Sequence, residues 1–120
     1  METLNIETFK QKIFNFEKNK TWSFNGTRPA IVDFYADWCG PCRALSPILE
    51  EIARDYAGLI DIYKVDTEAT PELAALFEVR GIPTLLFVPQ QGDPALASGF
   101  VPKESLQKAI QDIFSISPKQ

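Results

Sequence analysis

The chain has 120 residues, enough for one domain, and 45% of them are hydrophobic, as is usual in globular proteins. Its formal net charge of −4 argues against nucleic acids and anionic membranes as partners. Histidine is absent and there are two cysteines, which excludes histidine-based acid–base catalysis and leaves too few ligands for a structural zinc site within one chain.

The first third of the chain predicts one helix and two strands. Apolar residues recur at helical spacing over residues 6–16 and indicate an amphipathic helix. Residues 21–24 alternate and end in an Asn-Gly turn signal, which predicts a short extra strand at a sheet edge. Residues 30–35 form a nearly continuous apolar run, typical of a central strand covered on both faces.

The remaining pattern alternates helices and strands. It predicts helices over residues 39–57, 70–77 and 102–114, and strands over residues 60–66, 84–88 and 95–100. Pro47 should bend the first of these helices, and Thr70 should cap the second. We therefore expect an α/β sandwich in a single domain, residues 1–120. Its parts are an N-terminal helix and extra strand (1–28), a core (29–114) and a frayed tail (115–120).

The two cysteines stand three residues apart, where the strand over 30–35 gives way to a helix. A helix that begins at Cys39 directs its unpaired N–H groups and the positive end of its dipole at that sulfur, which favours the thiolate. Cys42, one turn further on, faces the same side and can close a disulfide. This pattern indicates thiol–disulfide exchange with Cys39 as the attacking thiol. The alternatives are a buried structural cysteine and, because zinc sites share the C-x-x-C spacing, a metal held jointly by two chains.

Asp33 is the one charged residue within the apolar run 30–35. Burial of a carboxylate raises its pKa, and this is how a proton acceptor is tuned. Asp33 is therefore a candidate catalytic residue. The alternative is a solvent-facing aspartate on an edge strand.

The segment Asp33–Arg43, which reads DFYADWCGPCR, and the downstream Gly81-Ile82-Pro83-Thr84 resemble the thioredoxin family. The resemblance extends from about residue 29 to the C-terminal helix. It implies the thioredoxin fold, a three-layer sandwich with a central mixed sheet flanked by helices. The chain departs from the simplest family pattern at its N-terminus, where a first strand would precede the first helix.

The resemblance also implies roles for individual residues. Cys42 would resolve the mixed disulfide by attacking Cys39, and Asp33 would assist deprotonation of Cys42. Lys64 matches the family's lysine that pairs with this aspartate, although an ordinary exposed strand lysine is the alternative. Pro83 matches the family's cis-proline beside the disulfide.

A substrate-binding rim around Cys39 follows from the same resemblance. Trp38 would cover the site rather than belong to the core, and Gly99 would let substrate backbone approach rather than only serve a turn. The proposed rim consists of Trp38, Gly40, Pro41, Ile82, Pro83 and Gly99.

The function implied is a protein-disulfide reductase, an electron carrier in cell redox homeostasis. Pro41 offers no N–H to a thiolate and stiffens the loop, which favours a reductant over an oxidant. No cofactor is expected beyond the redox-active Cys39–Cys42 disulfide. The expected partners are disulfide-containing proteins and a thioredoxin reductase, with no nucleic acid and no membrane, and the expected state is a monomer.

The location and the rival functions depend on other features. Met1–Asn5 shows no signal peptide, so we expect a cytoplasmic protein. The alternatives are a periplasmic or membrane-side reductase whose signal peptide was removed, a redox-inert binding subunit, and a glutaredoxin-like enzyme. The last is disfavoured because Gly40-Pro41 is not that family's usual Pro-aromatic pair.

Overall fold

The computed structural model describes residues 1–119. Its elements in chain order are β1 (Glu2–Thr3), α1 (Ile6–Lys12), β2 (Ala30–Tyr35), α2 (Gly40–Asp55), β3 (Asp61–Asp66), α3 (Pro71–Leu76), β4 (Thr84–Val88), β5 (Ala95–Ser98) and α4 (Lys103–Phe114).

The strands form one mixed sheet in the order β1-β3-β2-β4-β5. The strands β1, β3 and β2 are parallel, whereas β4 runs antiparallel to β2 and to β5. The central strand is β2, which explains why its sequence is almost wholly apolar. In its register, Asp33 lies beside Lys64 on one side and Leu85 on the other.

Helices cover both faces of the sheet. Alternate residues of each strand point to opposite sides, so both faces carry apolar side chains that must be buried. One apolar cluster packs α1 and α3 against the sheet, and its buried members include Phe9, Val32, Phe34, Leu73 and Leu86. The other packs α2 and α4, and its buried members include Ile31, Leu45, Leu49, Leu85 and Leu106. The result is the predicted three-layer sandwich.

The helix α2 begins directly after the β2 strand and its short loop. Cys39 is its N-cap and Pro41 follows within the first turn, where a missing N–H costs nothing. The buried positions Cys42, Leu45, Leu49 and Ile52 follow helical spacing and turn one side toward the sheet. Pro47 lies inside the helix, as predicted. These features hold both cysteines at the end of β2.

The predicted extra strand over residues 21–24 is wrong. That segment is irregular, and its alternation arises because Trp22 and Phe24 both pack against the α1–α3 cluster. The Trp22 ring lies 4.9 Å from the Phe14 ring and 6.2 Å from the Phe77 ring, centroid to centroid. The first strand is instead β1, which precedes α1 and pairs with β3. A first strand therefore does precede the first helix, as in the simplest family pattern, although a long connection follows from Lys12 to Ala30.

Several predicted boundaries also differ from the structure. The first helix ends at Lys12 rather than residue 16, and β5 ends at Ser98 rather than residue 100. Thr70 occupies the N-cap of α3, but its side chain makes no capping hydrogen bond.

The segment 115–119 is docked rather than frayed. Ile116 packs against the α2–α4 cluster, and the Lys119 N–H donates to the Asp55 carbonyl at 2.8 Å. Gln120 lies outside the described residues. Among the helices of residues 1–119, none is long and apolar enough to cross a membrane.

Candidate functional site

The two cysteines are joined in a disulfide at the N-terminus of α2, with their Cα atoms 5.2 Å apart. The Cys39 Sγ accepts a hydrogen bond from the Cys42 backbone N–H at 3.2 Å. The helix thus directs one of its unpaired N–H groups at the sulfur of its own N-cap. This arrangement stabilises negative charge on Cys39 when the disulfide is reduced.

The loop before β4, the strand next to β2, lies beside Cys39. The Ile82 carbonyl oxygen lies 3.8 Å from the Cys39 Sγ, and the Ile82–Pro83 peptide bond is cis. The Gly99 N–H donates to the Pro83 carbonyl at 2.8 Å, which ties the end of β5 to the same place. Three separate chain segments therefore converge on the disulfide.

The backbone of Gly99 has φ +96, a conformation that side chains with a Cβ rarely adopt. The turn alone therefore requires a glycine here. Apart from Gly99 and its two chain neighbours, no residue has an atom within 4 Å of the position that a Cβ would occupy, so the space above Gly99 is open. Both roles considered for this glycine are compatible with its geometry.

Asp33 is 1% exposed, and its Oδ1 has no hydrogen-bond partner. Since β2 is the central strand, the alternative of a solvent-facing edge residue is wrong. Burial raises the pKa of the Asp33 carboxyl from 3.8 to about 6, and the nearby positive charge of Lys64 opposes this rise. A carboxyl with this pKa can exchange protons near neutral pH.

Asp33 and Cys42 both line a cavity of about 90 Å³. A volume of roughly 10–15 Å³ on this measure already admits one water molecule. The cavity is lined by Asp33, Tyr35, Ala36, Asp37, Cys42, Arg43, Ser46 and Lys64. The buried carboxyl and the second cysteine thus border the same space, which is large enough for water.

Lys64 lies directly beside Asp33 in the β2–β3 register, but the two side chains form no direct ion pair in the described part of the chain. The Lys64 Nζ instead lies 4.2 Å from the centroid of the Tyr35 ring. Lys64 therefore influences Asp33 through its electrostatic field rather than through an ion pair.

Trp38 is 68% exposed, so the alternative that it belongs to the core is wrong. Its indole N–H donates to the Glu68 Oε1 at 2.6 Å. Glu68 is held in turn by its backbone N–H, which donates to the Asp66 Oδ1 at 2.9 Å. Trp38 also lines a groove of about 210 Å³ with Ile82 and Arg80.

Glu68 is not among the site residues predicted from the sequence, although one signal pointed to it. The strands β2 and β3 are parallel neighbours, so the loops after them meet at the same edge of the sheet. The Thr67 N–H and hydroxyl both donate to the Tyr35 carbonyl, which joins these two loops. A polar residue directly after β3 therefore had a geometric reason to contact the cysteine loop.

Gly40 and Pro41 are exposed on the outer side of the disulfide, at the start of α2. Arg43 follows them, and its Nη1 donates to the Asp37 carbonyl at 2.8 Å, which restrains the loop before Cys39. Phe100, which is also not among the predicted site residues, is 47% exposed and directly follows Gly99. An uncharged stretch over residues 94–102 was the available signal for it.

No group of three or more His, Cys, Asp or Glu side chains within residues 1–119 is arranged to hold a metal ion. The chemistry that the site itself displays is that of the paired sulfurs.

Comparison with known proteins gives consistent matches. A family model described as Thioredoxin matches residues 2–112. A thioredoxin from Borreliella burgdorferi is 44% identical over 112 residues, which cover 93% of this chain and 96% of that protein. A thioredoxin from Staphylococcus saprophyticus is 45% identical over 98 residues, covering 81% and 88%. A crystal structure of chloroplastic thioredoxin z superimposes with a TM-score of 0.78 at 26% identity, covering 94% of this chain and 93% of that one.

Proposed function

The chain belongs to the thioredoxin family and is a thiol–disulfide oxidoreductase that reduces protein disulfides, and from that premise we propose a role for each residue of its site. The fold and activity predicted from the sequence are confirmed by the family match. The observation that carries the assignment of roles is the hydrogen bond from the Cys42 N–H to the Cys39 Sγ.

Cys39 is the attacking cysteine. Its thiolate attacks one sulfur of a substrate disulfide, forms a mixed disulfide and displaces the other substrate sulfur as a thiolate. The Cys42 thiolate then attacks the Cys39 Sγ, which closes the Cys39–Cys42 disulfide and releases the second substrate thiolate. The substrate disulfide gains two electrons and the protein dithiol loses them. The free helix N–H, which belongs to Cys42, donates to the sulfur of Cys39 and so stabilises a thiolate there. This hydrogen bond supports the proposed order.

Asp33 accepts the proton that Cys42 loses. The shared cavity supports this role, because it leaves room for a water molecule between the carboxyl and the thiol. The pKa of about 6 supports it as well, since the carboxylate form predominates at neutral pH. Lys64 stabilises that form through its positive charge.

The substrate binds to an exposed rim around Cys39. The open space above Gly99 and the exposure of Trp38 support this surface. An extended substrate segment pairs with the backbone that precedes Pro83, in the manner of an added strand. The rim comprises Trp38, Gly40, Pro41, Ile82, Pro83 and Gly99, and we add Phe100 because it is exposed and directly follows Gly99.

The partners and setting follow from the same chemistry. A thioredoxin reductase returns the dithiol to its reduced form, and the dithiol serves as the redox group without a further cofactor. The protein acts as a cytoplasmic monomer, with neither nucleic acid nor membrane as a partner. Residues 1–120 act as one domain, which the family match over residues 2–112 supports.

The roles of the two cysteines are tested by trapping. In Cys42→Ser the mixed disulfide at Cys39 has no resolving thiol, so covalent adducts with a disulfide-containing protein such as insulin should accumulate on non-reducing gels. Cys39→Ser is the matched control and should give no adducts. If Cys39→Ser traps substrate and Cys42→Ser does not, the two roles are reversed.

A further inference from the structure

On the face of the sheet that carries Asp33, the Lys64 side chain has two partners within reach. Asp33 is its direct neighbour in the β2–β3 register, and Tyr35 is the next residue along β2 on the same face. Long side chains reach both direct and diagonal neighbours across a strand pair. The Lys64 Nζ lies over the Tyr35 ring, 4.2 Å from its centroid. We propose that the Tyr35 ring is a positioning group that holds the Lys64 ammonium away from the Asp33 carboxyl.

Burial explains why the Lys64 ammonium contacts the Tyr35 ring rather than the Asp33 carboxyl. Asp33 is 1% exposed, whereas Lys64 and Tyr35 are both half-buried. Contact with Asp33 would require the ammonium to lose more of its hydration, which is costly for a charged group. The face of an aromatic ring attracts a cation that still keeps part of its water. The ring therefore offers the ammonium a partner at a lower desolvation cost.

Arg43 is the other cation that lines the cavity beside Asp33, and its side chain is held elsewhere. From the loop before α2, Asp37 lines the same cavity, and from α2, Cys42 and Arg43 do so. The Arg43 guanidinium is anchored to the Asp37 carbonyl. On the β4 side the neighbour is Leu85, which carries no charge. Lys64 is therefore the cation whose distance from Asp33 depends on Tyr35.

The consequence concerns the strength of Asp33 as a base. A cation in contact with a carboxylate lowers its pKa and makes it a weaker proton acceptor. By holding Lys64 over its ring, Tyr35 keeps the pKa of the Asp33 carboxyl closer to neutral pH. This inference rests on the proposed role of Asp33 only where it is applied to catalysis, because the geometry holds in the oxidised protein without turnover.

The test is an NMR titration of the Asp33 side-chain carboxyl in the oxidised protein, where neither cysteine titrates. Tyr35→Leu removes the ring, and the titration midpoint should move to lower pH by about one pH unit. Tyr35→Phe keeps the ring without the hydroxyl and should titrate like the wild type. An unchanged midpoint in Tyr35→Leu, or an equal change in Tyr35→Phe, would overturn the proposal.

A second pair of variants isolates Lys64. In a Lys64→Met background, Tyr35→Leu should no longer move the Asp33 midpoint, because the cation that the ring holds is gone. A change that persists without Lys64 would contradict the proposal, since the ring would then act on Asp33 directly.

One measurement needs only proteins that retain the ring. Protons over the face of an aromatic ring resonate upfield, so the ε-methylene protons of Lys64 should be displaced upfield in the wild type and in Tyr35→Phe. Ordinary lysine shifts for these protons would overturn the proposal even if Tyr35→Leu failed to fold. These outcomes are independent of Asp33→Asn kinetics, which test the catalytic role of Asp33 separately.

Discussion

The two faces of β2 are built from alternate residues of one strand, yet they differ in what surrounds them. Val32 and Phe34 point toward α1 and α3 and are fully buried among apolar side chains. Asp33 and Tyr35 point the other way, toward the start of α2, where a cavity of about 90 Å³ and an unpartnered carboxyl oxygen remain. One face thus stabilises the fold, while the end of the other is less closely packed at the place where we propose proton transfer. Substitutions on the two faces should therefore have opposite effects.

The largest effect is expected from Asp33→Asn, which removes the proton acceptor but keeps its shape. Resolution of the mixed disulfide by Cys42 should slow roughly ten- to a hundredfold at pH 7, at or below the low end of general acid–base effects because solvent can also take the proton. Stopped-flow measurement of substrate release checks this. Asp37→Asn, an exposed carboxyl on the same cavity, is the control and should have a much smaller effect. Equal rates for Asp33→Asn and wild type between roughly pH 6 and 8 would remove Asp33 from the mechanism.

The same variant should change the pH dependence of stability. Because burial raises the pKa of Asp33 from 3.8 to about 6, the folded protein binds this proton more tightly than the unfolded chain. The associated stability is fully present below pH 3.8 and is lost as the pH rises through about 6. At about 1.4 kcal/mol per pH unit, the loss amounts to about 3 kcal/mol.

Denaturant titration of both proteins measures this effect. The free energy of unfolding of Asp33→Asn, relative to wild type, should rise by up to about 3 kcal/mol between pH 4 and pH 8. A difference that stays constant over this range would show that Asp33 is not an uncompensated buried carboxyl.

Val32→Ala tests the packed face one residue away. Loss of two buried methyl groups should lower the free energy of unfolding by about 2 kcal/mol. Insulin reduction at a temperature where the variant stays folded should remain close to wild type, because Val32 faces away from the cavity. Loss of activity as severe as in Asp33→Asn would contradict the division between the two faces.

The smallest effect is expected at Phe100, which lies beyond both faces at the rim. Phe100→Ser should raise the KM for a protein disulfide about two- to fivefold without changing kcat, because the exposed ring adds only a peripheral contact. Leu96→Ser is a matched control, since Leu96 is 48% exposed and Phe100 47%, but Leu96 lies within β5, four residues before Phe100 in the chain. Equal effects of the two substitutions on KM would exclude Phe100 from the rim.

The sequence predicted the elements that carry strong local patterns. The strands β2 and β4 were predicted with their observed bounds because both are short, nearly continuous apolar runs, a pattern typical of strands covered on both faces. Helix α2 was predicted because its buried residues keep helical spacing around Pro47. The position of both cysteines at the end of β2 followed directly from these two elements.

Other features depend on tertiary packing and leave little local trace. The strand β1 has two residues, too few to show any period, whereas the segment around Trp22 alternates because its aromatic side chains reach a distant core. The contact of Lys64 with Tyr35 depends on which of two neighbours its ammonium approaches, and register alone does not decide this. Glu68 contacts Trp38 only because β2 and β3 end at the same edge of the sheet.

The reduction potential of the Cys39–Cys42 pair tests the central claim most directly. It is measured by equilibrating the protein with a series of dithiothreitol redox buffers and quantifying the disulfide. A protein-disulfide reductase should have a value near or below the cytosolic glutathione potential, about −220 to −320 mV. A value of about −120 to −180 mV, the range of protein oxidants and isomerases, would contradict the claim that this dithiol donates electrons to protein disulfides.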